Sequence, residues 1–84
     1  MLDNAKVLYY TPAGDYGAVY WITGEIAEHI VYLAICRYPA SSEYYLFGCN
    51  AEYEVVSDSP FADPQECMRA AQFSDRKEIL WIRA

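Results

Sequence analysis

Basic residues are scarce in this chain, and none lies between Arg37 and Arg69. The whole sequence has 6 Lys and Arg residues against 12 Asp and Glu residues, which gives a formal net charge of −6. Between residues 11 and 68 there are nine acidic side chains and one basic one, Arg37. A surface of this sign repels phosphate groups, so the composition argues against direct binding to nucleic acid or to an anionic membrane.

The chain also lacks long apolar runs and closely spaced cysteines. No stretch approaches the roughly 20 apolar residues of a membrane span, and residues 1–4 lack the basic and apolar regions of a signal peptide. Cys36, Cys49 and Cys67 are widely spaced, and none belongs to a CxxC pair. An odd number of such cysteines favours free, partly buried thiols, so we expect a cytoplasmic protein without disulfides.

Residue patterns that carry catalysis are equally scarce. His29 is the only histidine, so a Cys–His or Ser–His site would depend on it alone, and it lies in a polar stretch. A zinc site needs at least three protein ligands, which the scattered cysteines and one histidine do not supply. Glu52 and Glu54 could serve as paired carboxylates, but a solvated strand edge explains them equally well. We therefore expect no enzymatic activity, no cofactor and no metal.

The length of 84 residues and the 55% hydrophobic content predict one folded domain over residues 1–84. Turn-forming residues divide the first 57 residues into β-rich stretches. These predict five strands: Lys6–Tyr10, Ala18–Thr23, Ile30–Tyr38, Glu43–Cys49 and Glu52–Ser57. The longest apolar run, Ile30–Tyr38, is expected to be the central strand, and Glu25–His29 is expected to be a polar connection with about one helical turn.

A single helix is predicted after these strands. Asp63 is the expected N-cap, Pro64 falls at the first helical position, and Glu66 has the spacing of a capping box with Asp63. The helix should run to about Phe73, with a polar break before a last strand at Ile79–Arg83. Together these elements predict an α+β fold, with a mainly antiparallel sheet of five to six strands and one helix packed on one face.

Alternation along the predicted hairpins assigns side chains to the two faces of the sheet. A turn at Ala40–Ser41 pairs Ile35 with Leu46, and a turn at Asn50–Ala51 pairs Leu46 with Val55. The helix is then expected to cover one face, which carries Leu33, Ile35, Tyr44, Leu46, Tyr53 and Val55. The opposite face, expected to be uncovered, supplies the predicted partner-binding residues: Tyr32, Tyr45, Phe47, Glu52, Glu54 and Val56.

Tyrosine accompanies the acidic residues, since all nine tyrosines lie before residue 54. Carboxylates spaced along a rigid sheet could stand in for backbone phosphates, while tyrosines are common anchors of protein interfaces. The pattern predicts a non-enzymatic, acidic protein-binding domain that inhibits a basic, nucleic-acid-handling protein. The alternative is a structural, self-assembling domain whose aromatic sheet face is a homodimer interface.

The segment Tyr44–Phe73 (YYLFGCNAEYEVVSDSPFADPQECMRAAQF) resembles small bacterial proteins of the toxin-immunity kind. In that group a strand similar to YLFGC, an acidic hairpin turn and a strand ending near SDS lead into one helix. The resemblance implies an α+β fold and a non-enzymatic binder that neutralises a toxin. The inhibitor predicted from charge and tyrosine content is of immunity-protein or phage-inhibitor type. Arg69 departs from the acidic helix of that group, and no individual binding residue carries over.

Overall fold

The structure of the chain is a computed structural model that describes residues 2, 4–74 and 78–84, without the side chains of residues 73 and 74. The described residues form seven strands and one helix: β1 (Lys6–Tyr10), β2 (Ala18–Tyr20), β3 (Ile26–His29), β4 (Tyr32–Arg37), β5 (Tyr44–Cys49), β6 (Val55–Phe61), α1 (Pro64–Ser74) and β7 (Ile82–Arg83). Among the described residues, no helix is both long enough and apolar enough to cross a membrane.

Five of the strands form one antiparallel sheet in the order β6-β5-β4-β1-β7. The predicted central strand is therefore confirmed, because β4 lies in the middle of the sheet. Four successive residues of β4, from Leu33 to Cys36, are buried, as expected for a strand covered on both faces. Strands β2 and β3 form a separate two-stranded hairpin. With α1 packed on the main sheet, the predicted α+β fold is confirmed.

Helix α1 begins where the capping pattern predicted. The Asp63 carboxylate accepts a hydrogen bond of 2.8 Å from the backbone N–H of Glu66, which is the N-cap geometry. The Glu66 carboxylate in turn accepts a bond of 3.2 Å from the backbone N–H of Ala62, one residue before the cap. The helix lies on β5 and β6, where buried Ala71 packs with Leu33 and the half-buried Leu46.

A second apolar cluster lies on the opposite face of the sheet. It contains Ala34, Cys36, Phe47 and Cys49, all almost completely buried, and it is closed by Ala5 from the N-terminal segment. Leu2 and Ala5 exchange two backbone hydrogen bonds, which fold this segment into a tight turn with Asn4 at a φ of 63°. The expectation that this face is uncovered is therefore wrong, because the N-terminal segment covers it.

Several element predictions need correction. Three strands differ most in their bounds, since β2 ends at Tyr20, β6 covers Val55–Phe61 and β7 covers only Ile82–Arg83. Residues 25–29, expected to be a polar connection, contain the strand β3, which pairs with β2. The pairing of β4 with β5 is as predicted, including Ile35 opposite Leu46. The pairing of β5 with β6 is not, since Leu46 lies opposite Ser59 rather than Val55.

The cause of this second error is the connection between β5 and β6. Residues 50–54 form a loop closed by hydrogen bonds from Asn50 N–H to Glu54 O and from Tyr53 N–H to Asn50 O. The loop is longer than the tight turn expected at Asn50–Ala51, so each residue of β6 pairs nearer the C-terminal end of β5 than predicted. Val55, for example, lies opposite Cys49 rather than Leu46. A register shift at Gly48 and Cys49 then places Val55 on the same face as Phe47.

Candidate functional site

A stacked pair of tyrosines lies where β4 begins and β5 ends. The rings of Tyr32, the first residue of β4, and Tyr53, in the β5–β6 loop, are 4.5 Å apart at an angle of 17°. Hydrogen bonding to the Tyr53 side chain, together with desolvation, raises the pKa of Tyr32 above its ordinary value. Tyr53 is nevertheless 60% exposed, so the outer part of its ring is available to a partner.

Asn50 holds the loop that carries Tyr53. Its side-chain oxygen accepts hydrogen bonds from the backbone N–H groups of Glu52, at 3.0 Å, and Glu54, at 2.9 Å. Its side-chain nitrogen donates to the Glu54 carboxylate at 3.0 Å. These bonds fix Tyr53 at a φ of 62°, a left-handed conformation that is uncommon for a large aromatic residue. The tyrosine is thus presented by a rigid loop.

An apolar groove of about 540 Å³ lies on one side of this tyrosine pair. Most of its wall is aliphatic or aromatic, and the buried Thr11 hydroxyl within it is already hydrogen-bonded to the backbone of Leu33. The lining residues are Leu2, Val7, Tyr10, Thr11, Pro12, Tyr32, Leu33, Ala34, Cys49 and Tyr53. The volume falls within the range of about 300–1,000 Å³ typical of ligand pockets.

An acidic depression of about 370 Å³ lies on the other side of Tyr53. It is lined by Tyr53, Glu54, Val55 and Asp58, and the exposed Glu52 precedes Tyr53 on the same loop. Within the described part of the chain, neither Glu52 nor Asp58 has an ion-pair partner. We call the groove, the depression and the tyrosine pair between them the tyrosine site.

The predicted partner-binding residues fall into two groups. Tyr32, Glu52 and Glu54 belong to the tyrosine site, although the two glutamates lie in a loop rather than on the face of a strand. Tyr45 and Phe47 belong to the second apolar cluster, where Tyr45 packs edge-on against Tyr38 with ring centroids 5.3 Å apart.

Phe47 and Val56 were expected to be exposed on one face of the sheet, but Phe47 is buried and Val56 is half-buried. Phe47 is completely buried beneath the N-terminal segment, so a partner cannot contact it in this structure. Val56 is half-buried at the register shift, between the residues paired with Gly48 and Cys49.

Sequence reasoning missed Tyr53 and Asp58 as members of the site. Tyr53 was assigned to a strand because its neighbours alternate, and a tyrosine gives no indication of a left-handed backbone. Asn50 offered a usable indication, because an Asn side chain often bonds to backbone N–H groups shortly after it and so favours a loop.

The thiols do not contribute reactive groups to the tyrosine site. All three cysteines are free and buried. Burial raises the pKa of Cys36 to about 12 and that of Cys67 to about 11, and it also raises the pKa of Cys49 in the groove wall. They are therefore protonated and weakly nucleophilic near neutral pH. Among the described residues, no three His, Cys, Asp or Glu side chains lie close enough together to hold a metal ion.

Comparison with known proteins gives no relative. No family model matches this sequence, and no curated protein or solved structure shows significant similarity to it.

Proposed function

We propose that this protein is a non-enzymatic antagonist that binds a basic, nucleic-acid-handling protein through the tyrosine site. The observation that carries the proposal is the position of Tyr53, whose side chain lines both the apolar groove and the acidic depression. An apolar side chain of the partner would enter the groove, while a neighbouring Lys or Arg would enter the depression. Exposed aromatic residues on a rigid loop are effective anchors, because little conformational freedom is lost on binding.

The charge distribution supports a basic partner. Glu52, Glu54 and Asp58 cluster around Tyr53, and the sequence from 38 to 68 contains no Lys or Arg to neutralise them. Carboxylates steer a cationic partner towards the site and repel nucleic acid itself. The resemblance of Tyr44–Phe73 to immunity-type proteins implies the same class of function.

The homodimer alternative has less support from the fold. It requires an exposed aromatic sheet face, but Phe47, at the centre of that face, is buried beneath the chain's own N-terminal segment. Light scattering over a range of protein concentrations would distinguish the two proposals, because only the dimer predicts a mass that doubles.

The antagonist proposal is tested by affinity capture from the heparin-binding fraction of a cell lysate, which is rich in basic proteins. Tyr53→Asn removes the ring while keeping a residue type that tolerates a left-handed backbone. Glu52→Gln combined with Asp58→Asn removes charge without changing shape. Each variant should reduce capture of basic proteins by about tenfold or more if Tyr53 and the acids are hot spots.

Glu43→Gln provides the matched control, because Glu43 is an exposed acid in the turn at the other end of β5. This variant should capture the same proteins as the unmodified chain. Equal capture by all variants, or capture of proteins that are not basic, would refute the proposal.

A further inference from the structure

The β2–β3 hairpin ends in a group of exposed apolar side chains. Tyr20 is 61% exposed, Trp21 63%, Ile22 fully exposed and Ile26 48%. Tyr20 and Ile26 lie opposite one another on the two strands, and Trp21 and Ile22 follow Tyr20 into the turn. We call these four residues the hairpin tip. Large groups of exposed apolar side chains on a monomeric protein often mark a binding site, whereas apolar residues exposed singly do not.

The hairpin tip is preorganised. Trp21 N–H donates to Glu25 O at 2.8 Å, and Gly24 N–H donates to Trp21 O at 2.9 Å. Gly24 has a φ of 91°, which matches a three-residue hairpin loop that ends in a left-handed residue. Because the turn fixes the backbone, Trp21 and Ile22 would lose little conformational freedom when they bind.

The exposed residues do not contribute to the core of this chain. The base of the hairpin is anchored through hydrogen bonds from Tyr16 N–H to Ile30 O and from Ile30 N–H to Gly17 O. Tyr16 and Ile30 pack against the cluster that contains Leu33. Among the described residues, none of the four tip residues belongs to either apolar cluster, although Tyr20 borders a cavity of about 420 Å³ that Ala70 and Ala71 of the helix also line.

The charges of the hairpin indicate the chemistry of the partner. Glu25 and Glu28 are exposed beside the tip, and no Lys or Arg occurs between Lys6 and Arg37 in the sequence. A second copy of this chain, with its net charge of −6, would be repelled by these acids, as would an anionic lipid surface. A basic protein with an apolar cavity is complementary to the tip in both charge and polarity.

We propose that the hairpin tip is a second contact with the basic partner, in which Trp21 and Ile22 enter an apolar cavity bordered by Lys or Arg. This inference rests on the proposed function and adds a second surface to it. The hairpin joins β4 through Ile30 and Val31, immediately before Tyr32 of the tyrosine site. Both surfaces therefore adjoin the end of the sheet where β4 begins, with the hairpin on the face that α1 covers and the groove of the tyrosine site on the opposite face. One partner would have to span this end of the sheet to contact both.

The test compares Trp21→Ser and Ile22→Ser with Leu80→Ser in the same capture from the heparin-binding fraction. Leu80 is a matched control, because it is 64% exposed but lies near β7, outside the hairpin. The two tip variants should each reduce capture of the basic proteins by about tenfold, while Leu80→Ser should leave it unchanged. Thermal unfolding of each variant verifies that the fold is retained.

The outcomes separate this inference from the proposed function. Unchanged capture by both tip variants, with capture still reduced by Tyr53→Asn, would overturn the second contact and leave the antagonist proposal standing. Unchanged capture by all of these variants would overturn both. A concentration-dependent dimer abolished by Trp21→Ser would assign the tip to a second copy. A blue shift of Trp21 fluorescence on phosphatidylcholine vesicles, measured in a Trp81→Phe background, would assign it to lipid.

Discussion

Phe47 and Tyr45 are two residues apart on β5 and point to the same face, yet they differ in burial. Phe47 is completely buried, whereas Tyr45 is half-buried at the margin of the same cluster. Their ring centroids lie 6.1 Å apart, so the pair forms a continuous aromatic surface beneath the N-terminal segment. Phe47 therefore contributes to the stability of the fold, and of the two residues only Tyr45 could also contact a partner.

Phe47→Ala should lower the free energy of unfolding by about 3–5 kcal/mol, because it removes a fully buried aromatic side chain and leaves a cavity. Urea denaturation followed by circular dichroism measures the change. Tyr20→Ala is the control, since Tyr20 is 61% exposed and should cost far less. A cost below about 1 kcal/mol for Phe47→Ala would mean that the N-terminal segment does not cover this face in solution.

Single residues also mark where prediction from sequence succeeded and where it failed. Asp63, Pro64 and Glu66 identified the helix start, because capping depends on local chemistry that residue types reveal. Burial of Phe47 depends on Leu2 and Ala5, which are distant in sequence and give no indication of where they pack. The left-handed conformation of Tyr53 is imposed by its loop and contradicts the usual preference of a tyrosine.

Among the elements, the strands of the main sheet were predicted better than the connections between them. The buried run in β4 and the alternation in β5 identified both strands and their register. Strand β3 was missed because Glu28 and His29 make it polar, and its apolar residue Ile26 faces solvent rather than a core. The tyrosine site was only partly predicted, because it forms where a loop, a strand end and the N-terminal segment meet.

The β5–β6 loop gives a prediction at this scale. Asn50→Ala removes the acceptor for the backbone N–H groups of Glu52 and Glu54, and should destabilise the protein by about 1–3 kcal/mol. Hydrogen exchange of these two amides should accelerate, because both would then face water. Binding through Tyr53 should weaken as the loop loses its fixed conformation.

Ser41→Ala is the corresponding control in the turn before β5, where the Ser41 hydroxyl accepts a hydrogen bond of 3.1 Å from Glu43 N–H. It should accelerate exchange at Glu43 and leave the β5–β6 loop unaffected. Unchanged exchange at Glu52 and Glu54 in Asn50→Ala would show that other contacts hold this loop.

For the molecule as a whole, the buried thiols make stability depend on pH in the alkaline range. Burial raises the pKa of Cys36 from 9.0 to about 12 and that of Cys67 from 9.0 to about 11. Above pH 9 the unfolded chain therefore releases thiol protons that the folded chain retains, and this favours the unfolded state. The stabilisation that depends on these thiols staying protonated is fully present below pH 9 and is lost as the pH rises towards 11–12.

Urea denaturation at several pH values from 7.5 to 11 should thus show a free energy of unfolding that falls above pH 9. Cys67→Ala should reduce this slope above pH 9, because it removes one of the titrating groups. The same variant should leave the pH dependence below pH 9 unchanged. An identical alkaline slope in the variant would assign the pH dependence to groups other than Cys67.

The pairing of β1 with β7 affects how the chain folds during its synthesis. β1 emerges from the ribosome before the strands on either side of it, β4 and β7. Leu8 O cannot accept its hydrogen bond from Ala84 N–H until Ala84 has been made. The N-terminal turn likewise cannot cover Phe47 until β5 has been made. Until these later segments have been made, the nascent chain therefore carries an unpaired strand and uncovered apolar residues, which is the condition that favours aggregation and chaperone binding. A chain released before Ile82 would keep the outer edge of β1 open permanently.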